Sequence, residues 1–127
     1  MILRSLEVEG FRCFDCLIKL DDFAPGLNVI HGPNAAGKST LLRALRHVLV
    51  DAYSIGGDRA RRAMEPWGRA LNPRVRVAIE HGGEEWRIEK QFLSGTFARL
   101  EREVQGVFRM EVEGKKAEER VREMLNV

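Results

Sequence analysis

The residues best suited to chemistry are Gly32-Pro33-Asn34-Ala35-Ala36-Gly37-Lys38-Ser39, which fit the spacing G-x-x-x-x-G-K-[ST] without a mismatch. Thr40 adds a second hydroxyl. Each residue type has a task. Gly32 and Gly37 permit backbone conformations that strain other residues. The loop's N–H groups then surround phosphate oxygens, helped by the positive end of the helix that follows. Lys38 supplies a compact charge for the outer phosphates. The Ser39 hydroxyl suits a Mg²⁺ ion that keeps several of its waters.

Such a loop works only between a strand and a helix. Leu27-Asn28-Val29-Ile30-His31 is short and mostly apolar, and predicts a buried strand running into the loop. Leucines at 41, 42, 45 and 49 predict a helix from Ser39 to Val50. Upstream, Ile2 to Val8 alternates as a strand, Phe14, Cys16, Ile18 and Leu20 predict a second, and Asp21 to Gly26 a turn. Residues 51–73 hold Gly56-Gly57, Pro66, Gly68 and Pro73, and read as an arginine-rich connector with one short helix near Arg59 to Met64. Val75, Val77 and Ile79 begin a hairpin that turns at Gly82-Gly83 and returns through Trp86 and Ile88. Phe97 to Glu103 and Val107 to Val112 form two more strands, and Ala117 to Leu125 closes as an amphipathic helix. The expected class is α/β: a mixed sheet, with the phosphate loop and its helix at one edge of an antiparallel, strand-rich half.

Composition sets outer limits. The chain has 127 residues, 44% hydrophobic and 31% charged, the balance of a globular domain. No apolar run approaches the roughly 18 residues that span a bilayer, no secretory leader opens the sequence, and two cysteines make no disulfide framework. A cytoplasmic protein without a membrane role is the expectation. Net charge is only +2, but residues 1–42 carry 4 basic and 5 acidic side chains, 43–76 carry 8 and 3, and 77–127 carry 9 and 11. The basic excess lies around Arg59, Arg61 and Arg62, which could touch a nucleic-acid backbone. A solvated arginine-rich loop is the competing reading, since no aromatics interleave there for base stacking.

Taken together, LEVEGFRCFD and FAPGLNVIHGPNAAGKSTLLRAL resemble the N-terminal ATP-binding lobe of the ABC-type ATPases of DNA repair and chromosome organisation: SMC proteins, RecF and the SbcC-type repair ATPases. The likeness is specific over residues 1–50 and looser through VRVAIEHGGEEWRIEKQF and MEVEGKKAEERVREML. The resemblance implies a P-loop ATPase fold and ATP with Mg²⁺ at Gly32, Pro33, Asn34, Ala35, Ala36, Gly37, Lys38, Ser39 and Thr40. Asn34 would lie near the γ-phosphate and Ser39 would ligate the metal. Arg12, in the "GFR" after the first strand, would approach the nucleotide; a solvated surface arginine is the other reading. The family completes its site with a glutamine loop, a signature motif and Walker B carboxylates from a C-terminal lobe. Two heads then sandwich ATP, acting on DNA, in some members with a nuclease partner. Residues 1–127 are therefore expected to form one N-terminal lobe of a split head: 1–50 with the loop, 51–73 the connector, and 74–127 the hairpins and last helix. Such a lobe should bind ATP with little or no hydrolysis. A transporter-type ABC domain, with Phe11, Phe14 or Phe23 as the adenine-stacking aromatic, is the alternative. A small kinase with Arg59 to Arg62 as a lid is a further one.

Four look-alikes are set aside. Val48-Leu49-Val50-Asp51 imitates a Walker B strand but continues the helix. Leu93-Ser94-Gly95 lacks the second glycine of a signature motif, and Gln105-Gly106 reads as a turn rather than a glutamine loop. Cys13-Phe14-Asp15-Cys16 offers two ligands where zinc takes four, and Cys16 shares its register with Ile18 and Leu20 as a small core residue. His31, His47 and His81 have no partner at ligand spacing and read as structural or solvated.

Overall fold

Strand β1 (Ile2–Glu9) turns Leu6 and Val8 to one face, where both are buried. The computed structural model describes residues 1–33, 37–66 and 72–126. Five more strands follow: β2 (Ile18–Leu20), β3 (Arg74–His81), β4 (Glu84–Gln91), β5 (Phe97–Val104) and β6 (Val107–Glu113). They join β1 in one six-stranded sheet of order β2-β1-β3-β4-β5-β6. The helices are α1 (Lys38–Leu49), α2 (Asp58–Met64) and α3 (Lys115–Leu125). The class is α/β, as the sequence predicts. The pairing is antiparallel at every strand junction, because the stretch expected to bring in a further strand contributes none.

Two rows of side chains explain the register. Leu20, Leu6, Val77, Ile88, Leu100 and Val112 face one another across successive strands, an apolar row spanning the sheet. The next row, on the opposite face, is Lys19, Glu7, Arg76, Glu89, Arg99 and Glu113, alternating in sign at every step. Its ion pairs include Arg76–Glu7 at 3.3 Å, Arg76–Glu89 at 2.5 Å and Arg99–Glu89 at 3.7 Å. A one-residue slip would exchange the two faces, so burial and charge specify one alignment together.

Helices α1 and α3 cover the apolar face. Ala44 and Val48 of α1 and Val121 of α3 are almost completely buried there, in a core with Phe11, Phe92 and Trp86. The spacing of Leu41, Ala44 and Val48 puts all three on one stripe of α1, as an amphipathic helix on a sheet requires. Gly114 ends β6 and opens α3, its N–H held by the Ala98 carbonyl at 2.9 Å. No helix of the described residues is long and apolar enough to cross a membrane.

Two expectations fail in the chain before the loop. Leu27 to His31 is not a strand: Leu27 is 90% and Val29 74% exposed. A strand needs a neighbour to satisfy its backbone, and among the described residues none pairs with this segment. The second strand shrinks to Ile18–Leu20, since a tight turn occupies residues 11–14. Cys16 lies ahead of that short strand and is exposed rather than a core residue. The turn of 21–26 does form, stapled by the Asn28 side chain, which accepts from Ala24 N and donates to Ala24 O, both at 2.8 Å.

Candidate nucleotide-binding site

The site begins at the tight turn after β1. Phe11 and Phe14 exchange both backbone hydrogen bonds at 2.9 Å, and Arg12 takes a left-handed φ of 53° between them. Phe11 is driven into the core, while the Phe14 ring reaches the loop. There it meets Gly37, whose φ is +100°: a Cβ at that position would lie 2.4 Å from Phe14 Cζ and 2.9 Å from Cys13 Sγ. Glycine is thus required twice at residue 37, for its backbone angle and for space.

Lys38 opens α1, and its Nζ donates to the Gly32 carbonyl at 2.5 Å, spanning the loop from end to beginning. Leu41 N–H donates to Gly37 O at 3.0 Å, the first hydrogen bond of the helix. No acidic side chain stands in the first turn of α1, whereas Arg46 and His47 stand in its last. The positive end of the helix is therefore left for an outside anion. Ser39 is exposed beside Lys38 and could ligate a cation riding on that anion, while Thr40 is buried at 9% exposure. Asn34, Ala35 and Ala36, three of the residues expected at the nucleotide, lie outside the described residues. Gly32 and Pro33 are exposed at its entrance.

Arg12 is tied to α2. Its N–H donates to Met64 O at 2.9 Å, and its guanidinium reaches Ala63 O at 3.5 Å. The turn at 11–14 thus touches the glycine-rich loop at Gly37 through Phe14 and Cys13, and the arginine helix through Arg12. Arg59, Arg61 and Arg62 are exposed on α2, whose Ala60 and Met64 face inward. Arg61 makes an i,i+4 pair with Glu65 at 3.6 Å, one that costs little to break at such exposure.

A polar node at the far end of α1 escaped the sequence reading. Lys90 is 1% exposed, and its Nζ donates to Asp51 O at 2.7 Å. Glu118 of α3, also buried, accepts from Tyr53 N–H at 3.1 Å. Burial pushes the Lys90 ammonium below the usual lysine range, against the opposing pull of Glu118 and Asp51. His47 lies between the rings of Phe11 and Phe92, with Nδ1 2.5 Å from Asp51 Oδ2. The node fastens the end of the loop's helix to β4 and α3. A signal existed in strand periodicity: Trp86, Ile88 and Lys90 share one face.

Three of the look-alikes resolve as the sequence predicts. Val48 and Leu49 are helical, 93–95 form a turn, and Gln105-Gly106 joins β5 to β6. Among the described residues no group of three or more His, Cys, Asp and Glu could hold a metal.

Known proteins place this geometry in a family. An AAA domain family model matches residues 5–126. The chain belongs to that AAA domain family. It is 35% identical over 88 residues to the DNA replication and repair protein RecF of Thioalkalivibrio sulfidiphilus, covering 69% of this chain and 24% of RecF. It is 30% identical over 102 residues to the DNA double-strand break repair Rad50 ATPase of Halobacterium salinarum, covering 72% of this chain and 10% of that protein. A solved structure from work on ATP-driven dimerization and DNA-stimulated activation of SMC ATPases superposes with a TM-score of 0.62 at 18% identity. It covers 99% of this chain and 78% of its own. The fold is that of an SMC-type ATPase head. The AAA domain here spans about a quarter of RecF and a tenth of Rad50.

Proposed function

We propose that this AAA domain is the nucleotide-binding lobe of an ATPase that maintains or repairs DNA in the cytoplasm, with ATP and Mg²⁺ as its ligands. The observation that carries the reading is Lys38 Nζ on Gly32 O, which brings the ammonium across the loop at the anion-seeking end of α1. In this reading the β- and γ-phosphates replace the Gly32 carbonyl as the partner of Lys38. Ser39 then completes the magnesium site, and Arg12 approaches from the turn beside Gly37. The bound ion would neutralise phosphate charge; positioning is the chain's own contribution.

Hydrolysis, in the same reading, belongs to a head completed by a second lobe. Leu27, Val29 and Ile30 support this: they stand exposed in the segment leading into the loop, an apolar surface that a second lobe would cover. ATP would then bring two completed heads together, and Arg59, Arg61 and Arg62 would meet a DNA backbone. A nuclease partner belongs to this reading too. The test is titration of a fluorescent ATP analogue with and without Mg²⁺. Saturable binding that competes with ATP supports the reading; no binding in either condition overturns it.

A further inference from the structure

The two edges of the sheet are built differently. β2 closes one side with three residues centred on Lys19, the short and charged form that discourages a further strand. β6 closes the other with seven residues that include neither Lys nor Pro, and both Val107 and Met110 are more than half exposed along it. Among the described residues no strand pairs with its outer side. Charge there is unbalanced. Arg109 stands directly opposite Arg102 across β5 and β6, a like-charge pair that costs stability. Arg102 has carboxylates to offset it, Glu84 at 3.2 Å and Glu111 at 3.5 Å. Arg109 has no ion pair among the described residues. Since Glu111 reaches Arg102, it shares a face with Arg109, and the register shift beside Leu100 accommodates this.

We propose that β6 is an interface for a second copy of this chain: the two strands pair antiparallel about a twofold axis at Met110, each Arg109 meeting Glu111 of the other copy. Charge complementarity selects this register. A centre one residue to either side would oppose Arg109 to Arg109 or Glu111 to Glu111. A twofold contact repeats itself, so both ion pairs form together and each Arg109 gains the carboxylate it lacks. The open N–H and C=O groups of β6 supply the hydrogen bonds, as in strand addition generally. Met110 meets its own counterpart and leaves solvent. The pairing lies at the sheet edge and uses no nucleotide. It therefore stands independently of the nucleotide-binding reading and of any engagement that ATP drives.

Sedimentation of the 127-residue chain without nucleotide, from about 1 μM to 1 mM, reads the assembly. Its mass should rise from 14.5 kDa toward twice that value. Arg109→Glu sets carboxylate against carboxylate and should weaken the dimer by about tenfold or more, as should Glu111→Arg with its opposed arginines. The double variant exchanges the signs, keeps both pairs and should restore the dimer. Circular dichroism establishes that each variant is folded. In a Cys13→Ser, Cys16→Ser background, Met110→Cys should oxidise to a disulfide-linked dimer, because directly opposed residues of an antiparallel pair lie about 4.5–5.5 Å apart at Cα. A dimer indifferent to Arg109→Glu, or a loss that the double variant does not repair, overturns the proposal. So does a chain that is monomeric throughout; capture of a glutamate-rich peptide by that monomer, lost in Arg109→Glu, gives the edge to an acidic strand instead.

Discussion

The Phe14 ring occupies the space next to Gly37 so closely that a Cβ on the glycine would fall 2.4 Å from Phe14 Cζ. An aromatic from the turn after β1 therefore buttresses the last residue before α1. Gly37→Ala should cost about 1–3 kcal/mol, because left-handed strain and this clash add. Replacing Phe14 by Ala in the same chain removes the clash with the ring, leaving the strain and the close approach to Cys13 Sγ. The double variant should thus lose less on adding Gly37→Ala than the wild type does. A denaturant double-mutant cycle measures the difference, and strict additivity would contradict the contact.

Glu89 sits at 3% exposure between Arg76 and Arg99, the centre of the alternating charged row. Glu89→Ala leaves two half-exposed arginines facing each other, and should cost about 1–3 kcal/mol. Glu113, at the open edge of the same row, is exposed; its replacement should change stability by less than about 0.5 kcal/mol. Chemical denaturation of both variants checks the contrast.

Lys90 gives stability a pH dependence of fixed sign. Its folded-state value is lowered from 10.5, chiefly by burial. Between that lowered value and 10.5 the unfolded chain binds more protons than the folded one, so this residue makes stability rise with pH across the window. Below the window the full cost of burying the charge remains. Lys90→Met should abolish this contribution. The variant's stability relative to wild type should therefore be more favourable at neutral pH than near pH 10, read from urea midpoints. A difference independent of pH would contradict a depressed lysine.

Much of this was legible in the chain. The motif at 32–39 and the strand alternation from Val75 to Val112 are local signals, and they placed the loop's helix, both hairpins and α3. The failures share a cause. Leu27 to His31 has the composition of a buried strand, but a strand needs a neighbour, and periodicity does not say which chain supplies it. Cys16 falls outside the core because the alternating register begins only at Ile18. Lys90 is the converse case: alternation marks Trp86 and Ile88 as inward-facing through their apolarity, whereas a lysine on the same face carries no hydrophobic signal of its burial. The contact between Phe14 and Gly37 joins residues far apart in sequence, and no pattern on one strand announces it.

The exposed segment before the loop yields a contrast with the core. Leu27→Ser with Val29→Ser should leave the denaturation midpoint almost unchanged, within about 0.5 kcal/mol, since neither side chain is buried. Leu6→Ala, in the central apolar row, should cost about 2–5 kcal/mol. In a completed head the double serine variant should also bind the second lobe more weakly, measured by titrating one lobe with the other.

Nucleotide binding through Lys38 is the claim on which the functional account turns. The decisive measurement is calorimetric titration of Mg-ATP into the wild-type chain and into Lys38→Ala, with circular dichroism to establish that both are folded. The account predicts saturable binding by the wild type and a loss of roughly 10- to 100-fold in the variant, the scale of a lost charge-assisted contact to phosphate. Equal affinities in two folded proteins would contradict it.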